Sequence, residues 1–228
     1  MKSYGQYCPM ARTSELFAER WTPIIVRNLL AGRSTFSQLR EGAPGIPKAL
    51  LTDRLALLER HGVVRREVDA RGRGSFYELT KKGQELKAVC DAMGEWGSRW
   101  LEIEPNPVDP VYVLWATCRL VDLDKVPERG VVVRVVMRMG TTPKQFWMLL
   151  LQPRAELCTS SMGRVEDLVL TTDAETLVQY NLRRISFGQA VRAGRVSLEG
   201  PPSLVRAFPG WIRPSPYAHV RPEAGHRL

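Results

Sequence analysis

Three prolines fall within the nine residues from Glu102 to Pro110, EIEPNPVDP, and three acids share the stretch. Proline fixes φ and removes a backbone donor, so neither a helix interior nor a central strand runs through such a segment. The chain is therefore expected to form two domains, which 228 residues can supply. A second proline-rich stretch, Pro214 to Pro222, reads as an extended tail. The expected division is a first domain at 1–103, a linker and connecting helix at 104–130, a second domain at 131–213 and the tail at 214–228.

Before the linker the apolar residues keep helical spacing. Trp21, Ile24, Ile25, Leu29 and Leu30 predict a helix stopped by Gly32. Phe36 to Arg40 predicts a short helix capped by Ser37. The turn Gly42-Ala43-Pro44-Gly45 separates it from a longer helix that starts near Pro47 and points Leu51, Leu55 and Leu58 inward. The period then changes. Val63 to Val68 and Ser75 to Leu79 read as two strands of a hairpin whose tip, Asp69 to Gly74, is basic and glycine-rich. A last helix is expected from near Thr80, with Leu86, Val89, Met93, Trp96 and Trp100 at 3-4-3-4 spacing.

Helix, tight turn, helix and basic hairpin is the order of a winged helix-turn-helix. In that unit the second helix enters the major groove and presents its N-terminal residues to base edges. The outward positions here are Lys48, Ala49, Thr52 and Arg54, and Ser37 and Gln38 on the first helix of the pair join the expected contacts. Arg71 and Arg73 at the hairpin tip are placed to follow the backbone or enter the minor groove. From Arg60 to Lys82 there are seven basic residues and three acids, a local charge of +4. Asp53 on the second helix opposes phosphate unless it pairs with an arginine or accepts from a cytosine amino group.

The whole chain carries a formal charge of +9, which fits a polyanionic partner or an acidic surface. Its four cysteines, Cys8, Cys90, Cys118 and Cys158, include no CxxC pair. With three histidines as well, the sequence predicts no metal site, no cofactor and no catalytic triad. No run of about 18 apolar residues or N-terminal secretion signal occurs, so a cytoplasmic protein without a membrane span is expected.

The first half resembles the HxlR-type family of bacterial winged-helix regulators. The residues that carry the likeness are Cys8-Pro9, W-T-P-I-I at Trp21 to Ile25, and F-S-Q-L-R at Phe36 to Arg40. G-I-P-K-A-L-L-T-D-R-L-A-L-L-E at Gly45 to Glu59 and Y-E-L-T-K-K-G at Tyr77 to Gly83 complete it. Pro47 departs from the family, which often has a serine helix cap there. The resemblance implies a homodimer, for which the stripe Leu86, Val89, Met93, Trp96 and Trp100 is the expected interface, reading double-stranded DNA with a palindromic operator. It also implies two readings of Cys8: a thiol that senses oxidants or electrophiles, or a small buried residue kept for packing.

After the linker, Val111 to Leu120 predicts a helix. Strands are expected at Val131 to Met139, Gln145 to Gln152, Arg154 to Ser160 and Glu166 to Thr171. Helices capped by Asp173 and Ser186, a short strand at Arg195 to Glu199 and a last helix opened by Pro201 follow. Antiparallel strands followed by helices indicate an α+β domain. D-L-V-L-T-T-D-A-E-T-L at Asp167 to Leu177 and I-S-F-G-Q-A-V-R-A-G-R-V-S-L-E-G at Ile185 to Gly200 make this half similar to sterol-carrier-type domains. That resemblance implies an apolar cavity between sheet and helices for a hydrophobic small molecule, with Met137, Met139, Trp147, Leu149, Phe187 and Val191 as candidate liners. The expected protein is a dimeric, ligand-responsive repressor rather than an enzyme. A lipid carrier with a basic anchoring domain, or a redox sensor acting through Cys8, is the alternative.

Overall fold

The computed structural model describes residues 3–32, 34–68, 75–101, 109–161 and 163–223. These divide into two compact units, Met1–Gly97 and Ser98–Leu228.

The first unit opens with α1 (Pro9–Phe17), α2 (Thr22–Leu30), α3 (Phe36–Glu41) and α4 (Lys48–Arg60). β1 (Val64–Val68) and β2 (Ser75–Leu79) pair antiparallel, with Arg65 opposite Glu78 and Arg66 opposite Tyr77. Ile25 and Val26 of α2, Leu39 of α3, and Leu51, Leu55 and Leu58 of α4 make one core with Phe17, Val63 and Val64. The leucine stripe thus faces inward as its spacing predicts. The cap of α3 does not fall on Ser37. Thr35 is the N-cap, and its side chain accepts from the Gln38 N–H, while the Gln38 side chain reaches back to the Thr35 N–H. This capping box closes two otherwise unpaired donors at once, which Ser37 two residues later does not do.

The final helix of this half is also broken in two. α5 (Lys81–Gln84) is capped by Thr80, and α6 (Lys87–Trp100) follows after a turn at 85–86. Gly83 explains the lysine-lysine-glycine spacing at this corner. A β-carbon there lies 2.2 Å from the Val63 carbonyl oxygen and 2.9 Å from Leu79 Cδ2, so the close approach of α5 to the hairpin base requires glycine.

In the second unit the order is α7 (Pro110–Leu120), a 3-10 turn, β3 (Val131–Met137), β4 (Lys144–Leu150), β5 (Glu156–Cys158), β6 (Leu168–Thr172), α8 (Ala174–Asn181), α9 (Phe187–Arg192), β7 (Ser197–Glu199) and α10 (Pro202–Trp211). The sheet order is β5-β4-β3-β6-β7, with β3 and β6 parallel and the other pairs antiparallel. Asp173 caps α8 by accepting from the Thr176 N–H, and Ser186 and Gln189 form a capping box on α9. One sheet face, carrying Val133, Val135 and Met137 with Phe146, Met148 and Leu150, packs on Leu177, Tyr180, Phe208 and Trp211. α7, expected as part of a connecting segment, buries Val113, Leu114 and Cys118 in this same core. Among the described residues no helix is long and apolar enough to cross a membrane.

Gly83→Ala should lower the unfolding free energy by about 1–3 kcal/mol, the usual cost of overpacking. A denaturant midpoint equal to that of the parent protein would contradict the close approach of α5 to the hairpin.

Candidate nucleic-acid interface

The geometry of the helix pair is held from behind by α2. Asn28 is fully buried, and its Nδ2 donates to the Leu39 carbonyl at 3.4 Å. Arg27 Nη2 donates to Asn28 Oδ1 at 3.0 Å and to the Gly42 carbonyl at 2.9 Å. Two adjacent residues of α2 therefore bind carbonyls at the end of α3, where helix termini leave acceptors unpaired. Gly45, at φ +84°, supplies the left-handed conformation that completes the turn. Ala43 and Ile46 bury their side chains beside it. Neither Arg27 nor Asn28 stands out in the sequence, because their partners lie 11–15 residues away.

On α4 the exposed face is Lys48, Ala49, Thr52, Asp53 and Ala56. Thr52 Oγ1 donates to the Lys48 carbonyl at 3.1 Å, a bond back to the preceding turn. Among the described residues Asp53 makes no ion pair. Arg54 lies apart from this face. Its Nη2 is 2.6 Å from Glu19 Oε2, and only 18% of its side chain is exposed. The structure thus brings Lys48, Ala49 and Thr52 together and turns Arg54 toward Glu19. Ser37 is exposed on α3, whereas the Gln38 side-chain Oε1 accepts from the backbone N–H groups of Ser34 and Thr35.

The hairpin is joined to the helix pair. The Tyr77 N–H donates to the Ser34 carbonyl at 2.8 Å, and Thr35 bridges Phe76. Two of the three acids counted near the hairpin are spent on Arg65, which contacts Glu78 at 2.6 Å and Glu67 at 3.2 Å. Arg66 donates from Nε and Nη2 to Ser75 Oγ at 3.0 and 2.8 Å. It was not singled out by sequence, and among the described residues it faces no carboxylate. Arg71 and Arg73 at the tip lie outside the described residues.

α6 buries none of its residues. Val89 is 39% exposed, Met93 50% and Trp96 59%, while Leu86 and Trp100 are partly buried. Cys8 is exposed at the N-cap of α1. The segment before it is tied to α1 by Glu15, whose Oε1 accepts from the Ser3 hydroxyl at 2.8 Å and the Tyr4 N–H at 2.7 Å. Those bonds, with Arg12 at 3.0 Å, hold the Glu15 carboxyl below the usual carboxylate range. The buried Cys118 differs in kind: burial pushes its thiol up to about 12.

The candidate liners of the second unit do not enclose one cavity. Met137 is fully buried, and Met139 and Phe187 pack against the core. Trp147 alternates with Phe146 and Met148, so it lies on the opposite sheet face, where Nε1 donates to Glu166 at 2.9 Å. Leu149 shares that face by the same alternation, and Val191 is 44% exposed. Among the described residues a void of about 10 Å³ lies between sheet and helices, bounded by residues such as Leu170, Tyr180, Phe187 and Phe208. Core side chains surround this void.

A helix pair with one exposed helix face, joined to an antiparallel hairpin, defines the first unit as a winged helix-turn-helix. Residues 16–105 match the HxlR-like helix-turn-helix family. The uncharacterized HTH-type transcriptional regulator sll1512 of Synechocystis sp. is 36% identical over 44% of this chain and 75% of its own length. The HTH-type transcriptional regulator YodB of Bacillus subtilis is 33% identical over 42% of this chain and 87% of its own. A solved structure of the redox regulator HypR in its reduced form is 31% identical over 40% of this chain and 90% of its own, with a TM-score of 0.38. Through its first unit, this chain belongs to the HxlR-like helix-turn-helix family.

Thr35→Ala should cost about 1 kcal/mol of stability, the usual loss of an N-cap. Ser37→Ala, on an exposed helical position, should stay within about 0.5 kcal/mol. Chemical unfolding of both variants checks this, and equal losses would contradict the assigned cap.

Proposed function

We propose that this chain is a dimeric transcription regulator whose α4 reads base edges in the major groove of a palindromic operator. The observation that carries the reading is the exposed face of Lys48, Ala49 and Thr52 on a helix whose other side is held by Leu51, Leu55 and Leu58. Lysine recognises guanine acceptors, and a threonine methyl or hydroxyl meets thymine or either groove edge. Ser37, on the exposed side of α3, suits a phosphate contact. Arg71 and Arg73 are assigned to the backbone or minor groove, with Arg66 at the flank of the hairpin. Arg54 is assigned a positioning role through Glu19, outside the base-reading set.

Dimerisation is assigned to α6. Val89, Met93 and Trp96 form an apolar stripe in solvent, and such a stripe at helical spacing suits a second copy of the same helix. The second unit is read as a sterol-carrier-like sensor domain on its order of elements, although its interior is nearly closed. Repression is the mode this arrangement suits: a ligand that favours one spacing of the two α4 helices alters operator affinity. A second reading, sensing through Cys8, rests on the exposure of that thiol at the N-cap of α1.

Lys48→Ala should reduce the preference for the operator over random duplex by about 1–3 kcal/mol. Arg54→Ala should lower stability instead, with the preference kept. Competition binding with the two duplexes separates these outcomes, and a lost preference in Arg54→Ala alone would overturn the assignment. Arg71→Ala with Arg73→Ala should weaken binding on every duplex and reduce the log-log salt slope by about 2 per subunit, about 4 for the dimer. For the dimer, Met93→Glu with Trp96→Ala should give monomers in sedimentation. A dimer that persists would place the interface elsewhere.

A further inference from the structure

Beside the interior of the second unit lies an open depression of about 450 Å³, bordered by Tyr180, Arg183, Arg184, Phe187, Pro209 and Gly210. We infer that it binds an organic carboxylate carried on a compact aromatic body. The inference deepens the sensing half of the reading above and rests on it for the consequence of binding, not for binding itself.

Arg183 and Arg184, consecutive in sequence and both bordering the depression, supply the anion-binding side. Among the described residues neither has a carboxylate partner. Each is held by a carbonyl: Arg183 Nη2 donates to Ile212 O at 2.6 Å, and Arg184 Nη2 to Ser98 O at 3.5 Å. The Arg183 guanidinium also stacks over the Tyr180 ring at 5.0 Å. One nitrogen of each is thus spent on positioning, and the remaining donors match the planar geometry of a carboxylate. Arg183 sits at φ +56°, a left-handed conformation that a non-glycine residue adopts rarely.

The apolar side limits the shape of the ligand. Tyr180 and Phe187 form the wall shared with the interior, where the void is about 10 Å³. Past this wall the described residues leave a void too small for an acyl chain, whereas a ring lies against Phe187 and Pro209 at the surface. Gly210 keeps the space free: a β-carbon on it meets nothing within 4 Å, and its helical backbone is open to any L-residue.

Calorimetric titration of the full chain with benzoate and 2-naphthoate, without DNA, tests the site separately from operator binding. Saturable one-to-one binding is expected, with none for the neutral amide benzamide. Arg184→Gln should weaken it at least tenfold. Gly210→Leu should abolish it by filling the depression, while the unfolding midpoint is unchanged or raised. No saturable binding of either carboxylate, equal binding of benzamide, displacement by inorganic phosphate at matched concentration, or retained binding in Gly210→Leu would each overturn the inference.

Discussion

The first unit depends on the grip of α2 on the turn between α3 and α4. Asn28 and Arg27 bind the carbonyls of Leu39 and Gly42, so the end of one helix is fixed to the body of the domain. A buried amide that loses its partner costs roughly 1–3 kcal/mol, which makes this contact a strong constraint on the position of α4. The leucine stripe then sets the rotation of α4, and the Glu19–Arg54 pair ties it to the loop after α1. With position and rotation both fixed, Lys48, Ala49 and Thr52 share a single outward face.

The hairpin extends the same rigid frame. Ser34 and Thr35 pair with β2 on one side, and Gly83 lets α5 close on the other. The capping box at Thr35 serves both elements, since the residue that starts α3 also borders the sheet. Arg65 pairs with two of the acids near the hairpin, Glu67 and Glu78, and so offsets part of their charge.

Much of this was legible because the signals are local. The switch from a 3.6 to a 2.0 period marks the hairpin, and the caps Asp173 and Ser186 follow from short-range side-chain chemistry. The cap of α3 was equally open to reading: Thr35 and Gln38 have capping-box spacing, and Ser37 lacks such a partner. Other features depend on distant residues. Arg54 meets Glu19 across 35 positions, and no pattern within α4 separates an anchored arginine from a free one. In QFWMLLLQ the apolar run is unbroken, so its phase is hidden, and only pairing with β3 assigns Phe146 and Trp147 to opposite faces. Alternation likewise marks a buried sheet face without telling a filled core from an open cavity.

The claim that matters most is that a fixed α4 reads sequence, as opposed to merely attracting phosphate. Selection of bound duplexes from a random pool, sequenced after several rounds, measures this directly. The account predicts a palindromic motif with two half-sites separated by about one helical turn or a multiple of it. Recovery of duplexes without any shared motif, at an affinity that depends on salt alone, would contradict it.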